Sequence, residues 1–164
     1  MLWLCLVLTS SIFAQTQKNF SIEGKVQKPI DLPSEVMQLL IADKDVREVL
    51  DGEKTATNKV PSDWYSATEV QLAPNATPSI IVIGHSPIGG AHAAWFWIFQ
   101  STQNHWRVVL HAVGDELSVL NRSTAGAFDM EASYFTASTI YEWIYRYDGQ
   151  RYRLSKTEKE QTHH

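Results

Sequence analysis

The chain has 164 residues, enough for one domain, with 14 Lys and Arg against 18 Asp and Glu, a formal charge of -4. That mild acidity, without a basic stripe or a basic amphipathic helix, argues against a nucleic-acid partner and a membrane-surface role. Cys5 is the one cysteine and sits in an apolar run near the start, so no disulfide framework supports the fold.

Residues 1–14 carry no charged side chain. Leu2 to Leu8 is continuously apolar, and Thr9 to Phe13 leads into Ala14-Gln15. An apolar run followed by a small residue and a polar chain has the layout of a secretory signal. It is too short for a membrane span, which needs about 20 apolar residues. The expectation is a cleaved signal peptide over residues 1–14 and an exported protein, periplasmic or secreted. The alternative is a buried first strand. With the signal removed, the chain has no thiol nucleophile, and its stability rests on the core.

Residues 15–32 form a polar N-terminal arm, broken at Pro29, with a short strand expected at Phe20 to Val26. Pro33-Ser34 then opens a helical stretch, with Ser34 as the expected N-cap. Val36, Leu39, Leu40, Val46, Val49 and Leu50 recur at helical spacing. Asp43 and Asp45 interrupt the stripe, which predicts two short helices, and Asp51-Gly52 ends it. The acidic run Asp43, Asp45, Glu48, Asp51 and Glu53, interspersed with Lys44, Arg47 and Lys54, reads as a solvated helix face.

From Trp64 onward the period becomes that of strands. Eight are expected: Ser66 to Leu72, Ser79 to Ile83, Ala94 to Gln100, Trp106 to His111, Glu116 to Leu120, Ala127 to Ser133, Thr139 to Tyr147 and Arg151 to Leu154. Tyr141, Trp143, Tyr145 and Tyr147 alternate with Glu142, Ile144 and Arg146, so period 2 puts four aromatics on one face, read as core. Asp148-Gly149 follows and suits a type I′ hairpin turn. Short turns between consecutive strands favour antiparallel pairing. The expected fold class is α+β: an N-terminal short helical segment packed on an antiparallel β-meander of about seven or eight strands. The single domain spans residues 33–155, and residues 156–164 are a polar C-terminal tail.

The stretch Ser79-Ile80-Ile81-Val82-Ile83-Gly84-His85-Ser86 resembles the strand and turn that present the nucleophile in α/β-hydrolases. Two departures set it apart. The fifth position of the G-x-S-x-G motif is Ile88, and the residue after the serine is Pro87, which lacks the N–H that an oxyanion hole uses there. Losing one such donor costs about 2.7–4 kcal/mol of transition-state stabilisation. His92, His105 and His111 are available as bases, but no spacing selects one.

The segment Val70-Gln71-Leu72-Ala73-Pro74-Asn75-Ala76-Thr77-Pro78-Ser79-Ile80-Ile81-Val82 is similar to the strand–loop–strand core of FG-GAP or VCBS-type repeats. Tyr145-Arg146-Tyr147-Asp148-Gly149-Gln150-Arg151-Tyr152 resembles the aromatic hairpins of small exported bacterial β domains of unassigned function. The likeness covers roughly residues 64 to 154 and implies a fold. In those repeats an acidic loop often holds calcium. Here the loop carries Ala76, Thr77, Pro78 and Ser79, and Asn75 alone cannot supply the several oxygen ligands that calcium needs.

Six histidines are present: His85, His92, His105, His111, His163 and His164. None forms a helical ligand pair beside a glutamate, so neither a metal site nor a cofactor is expected. His85 and His92 flank a Gly-rich loop and are read as ordinary loop residues. The functional expectation is a non-catalytic binding or inhibitor-type domain outside the cytoplasm. Its working surface is the Gly84 to Ala94 loop, with His85, Ser86 and His92, helped by Trp106. The expected partner is a protein, a peptide or a cell-wall glycan. The alternatives are a serine hydrolase using Ser86, and a structural module of an envelope assembly that docks through a sheet edge.

Overall fold

The structure is a computed structural model that describes residues 18–54, 58–90, 93–103 and 105–161. The expected signal peptide over 1–14 lies outside the described residues. Among the described residues two helices and nine strands follow in chain order. They are β1 (Asn19–Ser21), α1 (Ser34–Ala42), α2 (Lys44–Gly52), β2 (Tyr65–Val70), β3 (Ser79–Gly84) and β4 (Ala94–Thr102). Then come β5 (His105–Gly114), β6 (Glu116–Thr124), β7 (Ala127–Phe135), β8 (Thr139–Tyr147) and β9 (Tyr152–Gln161).

Every strand pair is antiparallel, as the short turns require. The strands do not form one meander. They divide into a four-stranded sheet ordered β2-β3-β4-β5 and a five-stranded sheet ordered β1-β6-β7-β8-β9. The break falls between β5 and β6, where Asp115 donates its N–H to Ser133 O at 2.7 Å and carries the chain into the second sheet.

Alternation sorts the side chains into two cores. Ile81, Ile83, Phe96, Ile98 and Ala112 of the first sheet cluster with Phe20, Leu117, Met130, Ala132, Tyr147 and Tyr152 of the second. The intervening residues Ile80, Val82, Trp97 and Phe99 belong to another cluster, with Val36, Met37, Leu40, Ile41, Val46 and Leu50 of the helices. β3 is therefore buried along its whole length, which is why Ser79–Gly84 reads as a continuous apolar run instead of an alternating one.

Three local expectations are corrected. Ser34 is the first helical residue and its side chain makes no capping bond; Pro33 holds the cap position of α1. Asp43 is the side-chain cap, for α2. The turn after β8 is not a two-residue type I′ turn, because Tyr147 pairs with Tyr152 across a four-residue loop. Asp148 Oδ1 accepts N–H bonds from Gln150 and Arg151, both at 2.8 Å, and Gly149 takes φ 96°. The anticipated tail is strand up to Gln161, since Lys156 to Gln161 pair with Thr139 to Ile144. The arm is also tied down: Phe20 pairs with Leu117, and Ile30 donates its N–H to Ala67 O at 2.9 Å.

Candidate functional site

The loop after β3 was the expected working surface. His85 donates its backbone N–H to Trp64 O at 2.7 Å and accepts from Gly89 N at 2.7 Å. Gly89 is required there, since a Cβ would lie 2.5 Å from Gly84 O. The His85 ring meets a serine, but not Ser86. Its Nε2 lies 2.7 Å from Ser66 Oγ on the adjacent strand, brought close because Tyr65 pairs with Gly84 and Ser66 with Ile83. Burial lowers the His85 pKa, which favours the neutral ring. Ser86 is exposed, and the chain returns from it into antiparallel β4, so it sits on no strand-to-helix elbow. Among the described residues no carboxylate hydrogen-bonds to His85, so no nucleophile–base–orienter set is assembled.

Of the remaining expected site residues, Trp106 does not join His85. His92 lies outside the described residues. Trp106 pairs with Ser101 at the far end of the β4–β5 hairpin, seven positions from Ala94. At about 3.3 Å per residue this is roughly 23 Å from the loop. There Trp106 packs against the helix-side cluster and donates its backbone N–H to Glu35 Oε1 at 3.0 Å. The separation follows from the hairpin itself, whose two ends are a full strand apart.

The loop leads instead to an open cleft of about 520 Å³, lined by Ala93, by His111, Ala112, Val113 and Gly114 of β5, and by Tyr134, Trp143 and Tyr145. β5 is the outer strand of its sheet. Successive strand side chains point to opposite faces, so a cavity over one face touches every second residue. Contact with four consecutive residues places this cleft along the strand's edge, where the backbone N–H and C=O groups lie. Of the facing aromatics, Trp143 and Tyr145 come from the stripe read as core, and Tyr134 comes from β7. Tyr147 is indeed core, 9% exposed, while Trp143 and Tyr145 pack against the core with half-buried rings that reach the cleft. Burial pushes the Tyr145 phenol pKa up. Tyr141 stacks on Trp143 with centroids 6.4 Å apart and planes at 14°. Alternation identified this stripe, but only the sheet order shows that β5 leaves part of it uncovered.

A polar cluster lies between the start of α2 and β5. Asp43 Oδ1 accepts the Asp45 and Val46 N–H groups at 3.0 and 3.4 Å, and its Oδ2 accepts Trp97 Nε1–H at 3.1 Å. His111 Nδ1 is 3.6 Å from the same Oδ2. The His111 ring stacks on Trp97 at 4.9 Å and meets Trp95 edge-on at 5.9 Å. Asp43 is thus not part of a solvated face. Its side chain is 17% exposed.

Comparison with known protein families, with curated proteins and with solved structures found no match. Among the described residues no helix is long and apolar enough to cross a membrane.

Proposed function

We propose that this chain is an exported, non-catalytic binding domain that takes an extended peptide segment along the outer edge of β5. The observation that carries the reading is the cleft. One wall is four consecutive residues of an edge strand, and the other is Tyr134, Trp143 and Tyr145. Among the described residues β5 pairs only with β4; Glu35 takes the Trp106 N–H near one end and Ser133 of β7 closes on Gly114 at the other, so the outer main-chain groups between them form a template for one further short strand. In strand addition, main-chain hydrogen bonds supply affinity and pockets for alternate side chains supply specificity. The aromatic wall is such a pocket, suited to an apolar or aromatic side chain. Export rests on the uncharged apolar segment Met1 to Ala14. The resemblance to small exported β domains points the same way. The Gly84 to Ala94 loop then shapes the cleft's mouth through Ala93.

The test is selection of peptides from a displayed random library on the mature protein, followed by calorimetry with the best binder. Trp143→Ala is expected to weaken binding at least tenfold, as is N-methylation of alternate backbone amides of the peptide. Binding that tolerates the methylated backbone would sink the strand-addition reading. Binding only by soluble cell-wall glycan fragments in a parallel titration would reassign the cleft to sugars.

The Ser66–His85 contact favours a second reading, a serine hydrolase built on Ser66 in place of Ser86. A fluorophosphonate probe decides it: Ser66-dependent labelling establishes the hydrolase, and its absence leaves the contact as a tie between β2 and the loop.

A further inference from the structure

We propose that Asp43, Asp45 and His111 form a binding site for one divalent transition-metal ion of the zinc type. One ligand atom from each residue lies within 4.8 Å of the other two. Two metal–ligand bonds of about 2.0–2.1 Å set tetrahedral ligand atoms about 3.4 Å apart, so small side-chain rotations close the set.

Three observations separate this cluster from an ordinary helix cap. Capping occupies only Asp43 Oδ1; Oδ2 is turned away from the helix, toward His111, and is steadied by the Trp97 N–H. His111 makes no hydrogen bond among the described residues: Nδ1 stands 3.6 Å from the carboxylate, beyond hydrogen-bond range, and Nε2 is buried without a partner. Stacking on Trp97 and the edge contact with Trp95 hold the ring in place. Neither Asp43 nor Asp45 forms an ion pair with a lysine or arginine among the described residues, since Lys44 pairs with Glu48. Among the described residues the two carboxylates therefore have no lysine or arginine against them, and His111 is the basic side chain beside them.

The donor set selects the ion. Two oxygens and one imidazole nitrogen suit zinc, cobalt or nickel, whereas calcium wants six to eight oxygens. Three protein ligands leave a coordination position for water. The side chains of Asp43 and His111 are 17% and 28% exposed, which gives an ion access. Asp43 and Asp45 are two positions apart but His111 comes 66 positions after Asp45, so no local ligand spacing marks the set.

The test is calorimetric titration of chelator-treated full-length protein with Zn²⁺, and with Co²⁺ monitored by visible absorption. One ion per chain is expected, with a cobalt band in the visible range and no displacement by millimolar Ca²⁺. Asp45→Asn and His111→Gln should each weaken binding at least tenfold. Asp45 is not the helix cap, so its variant should keep the wild-type circular dichroism and lose only slight stability with its first-turn charge, and the loss of binding by the folded variant then reports ligation. The double variant His163→Gln/His164→Gln should bind as the wild type does. No binding by the wild type, undiminished binding by Asp45→Asn, or loss on changing His163 and His164 would each overturn the assignment.

Discussion

Asp43 illustrates how much one residue's role depends on its neighbours in space. In the sequence it belongs to a mixed-charge run, and a solvated face is the natural reading. The break in the helical stripe was legible at Asp43, because the apolar spacing slips there, but the partner of its second oxygen was not. Trp97 lies 54 positions away and arrives only through the burial of β4. Asp43→Ala is expected to destabilise the fold by about 1–2 kcal/mol through the lost cap, and further because the buried Trp97 N–H loses its acceptor. Asp51→Ala, at an exposed position of α2, should stay within about 0.5 kcal/mol. Urea unfolding of the two variants checks this, and equal effects would remove Asp43 from its structural role. His85 yields a pH prediction. Burial lowers its folded-state pKa below the ordinary value near 6.5, so the folded state binds the proton less readily than the unfolded chain does. Its contribution is fully present above about pH 6.5 and is lost as pH falls through the lower folded-state pKa. His85→Gln should flatten the stability profile in that window. A wild-type profile already flat there would refute the assignment.

At the scale of elements, patterning located strands wherever one face meets a core and failed where neither does. Thr139 to Tyr147 was legible to the residue, because four aromatics alternate with other side chains and Tyr147 anchors the stripe. Its partner β9 was cut short at Leu154. Beyond that point Lys, Thr and Glu are exposed or nearly so, and no apolar period remains to be read. Their place in the sheet is fixed by main-chain pairing to β8, which composition does not encode. Likewise, the expected site adds Trp106 as an aromatic helper to a Gly/Pro-framed loop that carries His85, Ser86 and His92. Hairpin geometry, invisible in a list of residues, puts them at opposite ends. Truncation after Ser155 therefore removes strand, not tail. With six cross-strand positions worth about 0.2–1 kcal/mol each, a loss of about 2–3 kcal/mol, in the lower part of that range for exposed pairs, is expected. At about 2–4 °C per kcal/mol this lowers Tm by roughly 4–12 °C, measurable by scanning calorimetry. An unchanged Tm would return residues 156–161 to the status of a tail.

At the scale of the whole molecule, the four-stranded sheet is shared between two cores, and this sets how the protein unfolds. Ile81 and Ile83 of β3 face the second sheet, while Ile80 and Val82 of the same strand face the helices. β4 repeats the division, with Phe96 and Ile98 on one side and Trp97 and Phe99 on the other. Neither core can lose its packing while β3 and β4 stay ordered for the other, because the two clusters use adjacent residues of the same backbone. Helices and both sheets should therefore unfold in one cooperative transition, as small single domains usually do. Far-UV circular dichroism reports mainly the strands, and indole fluorescence is weighted toward the helix-side cluster, which holds Trp97 with Trp64, Trp95 and Trp106 packed against it. The two urea curves should coincide in midpoint and slope. Val82→Ala and Ile83→Ala, on opposite faces, should each shift both curves together, by about 1–3 and 2–5 kcal/mol respectively. If Val82→Ala moved the fluorescence transition and left the dichroism transition behind, the helices would form a separable layer, and the cleft along β5 would rest on the two sheets alone.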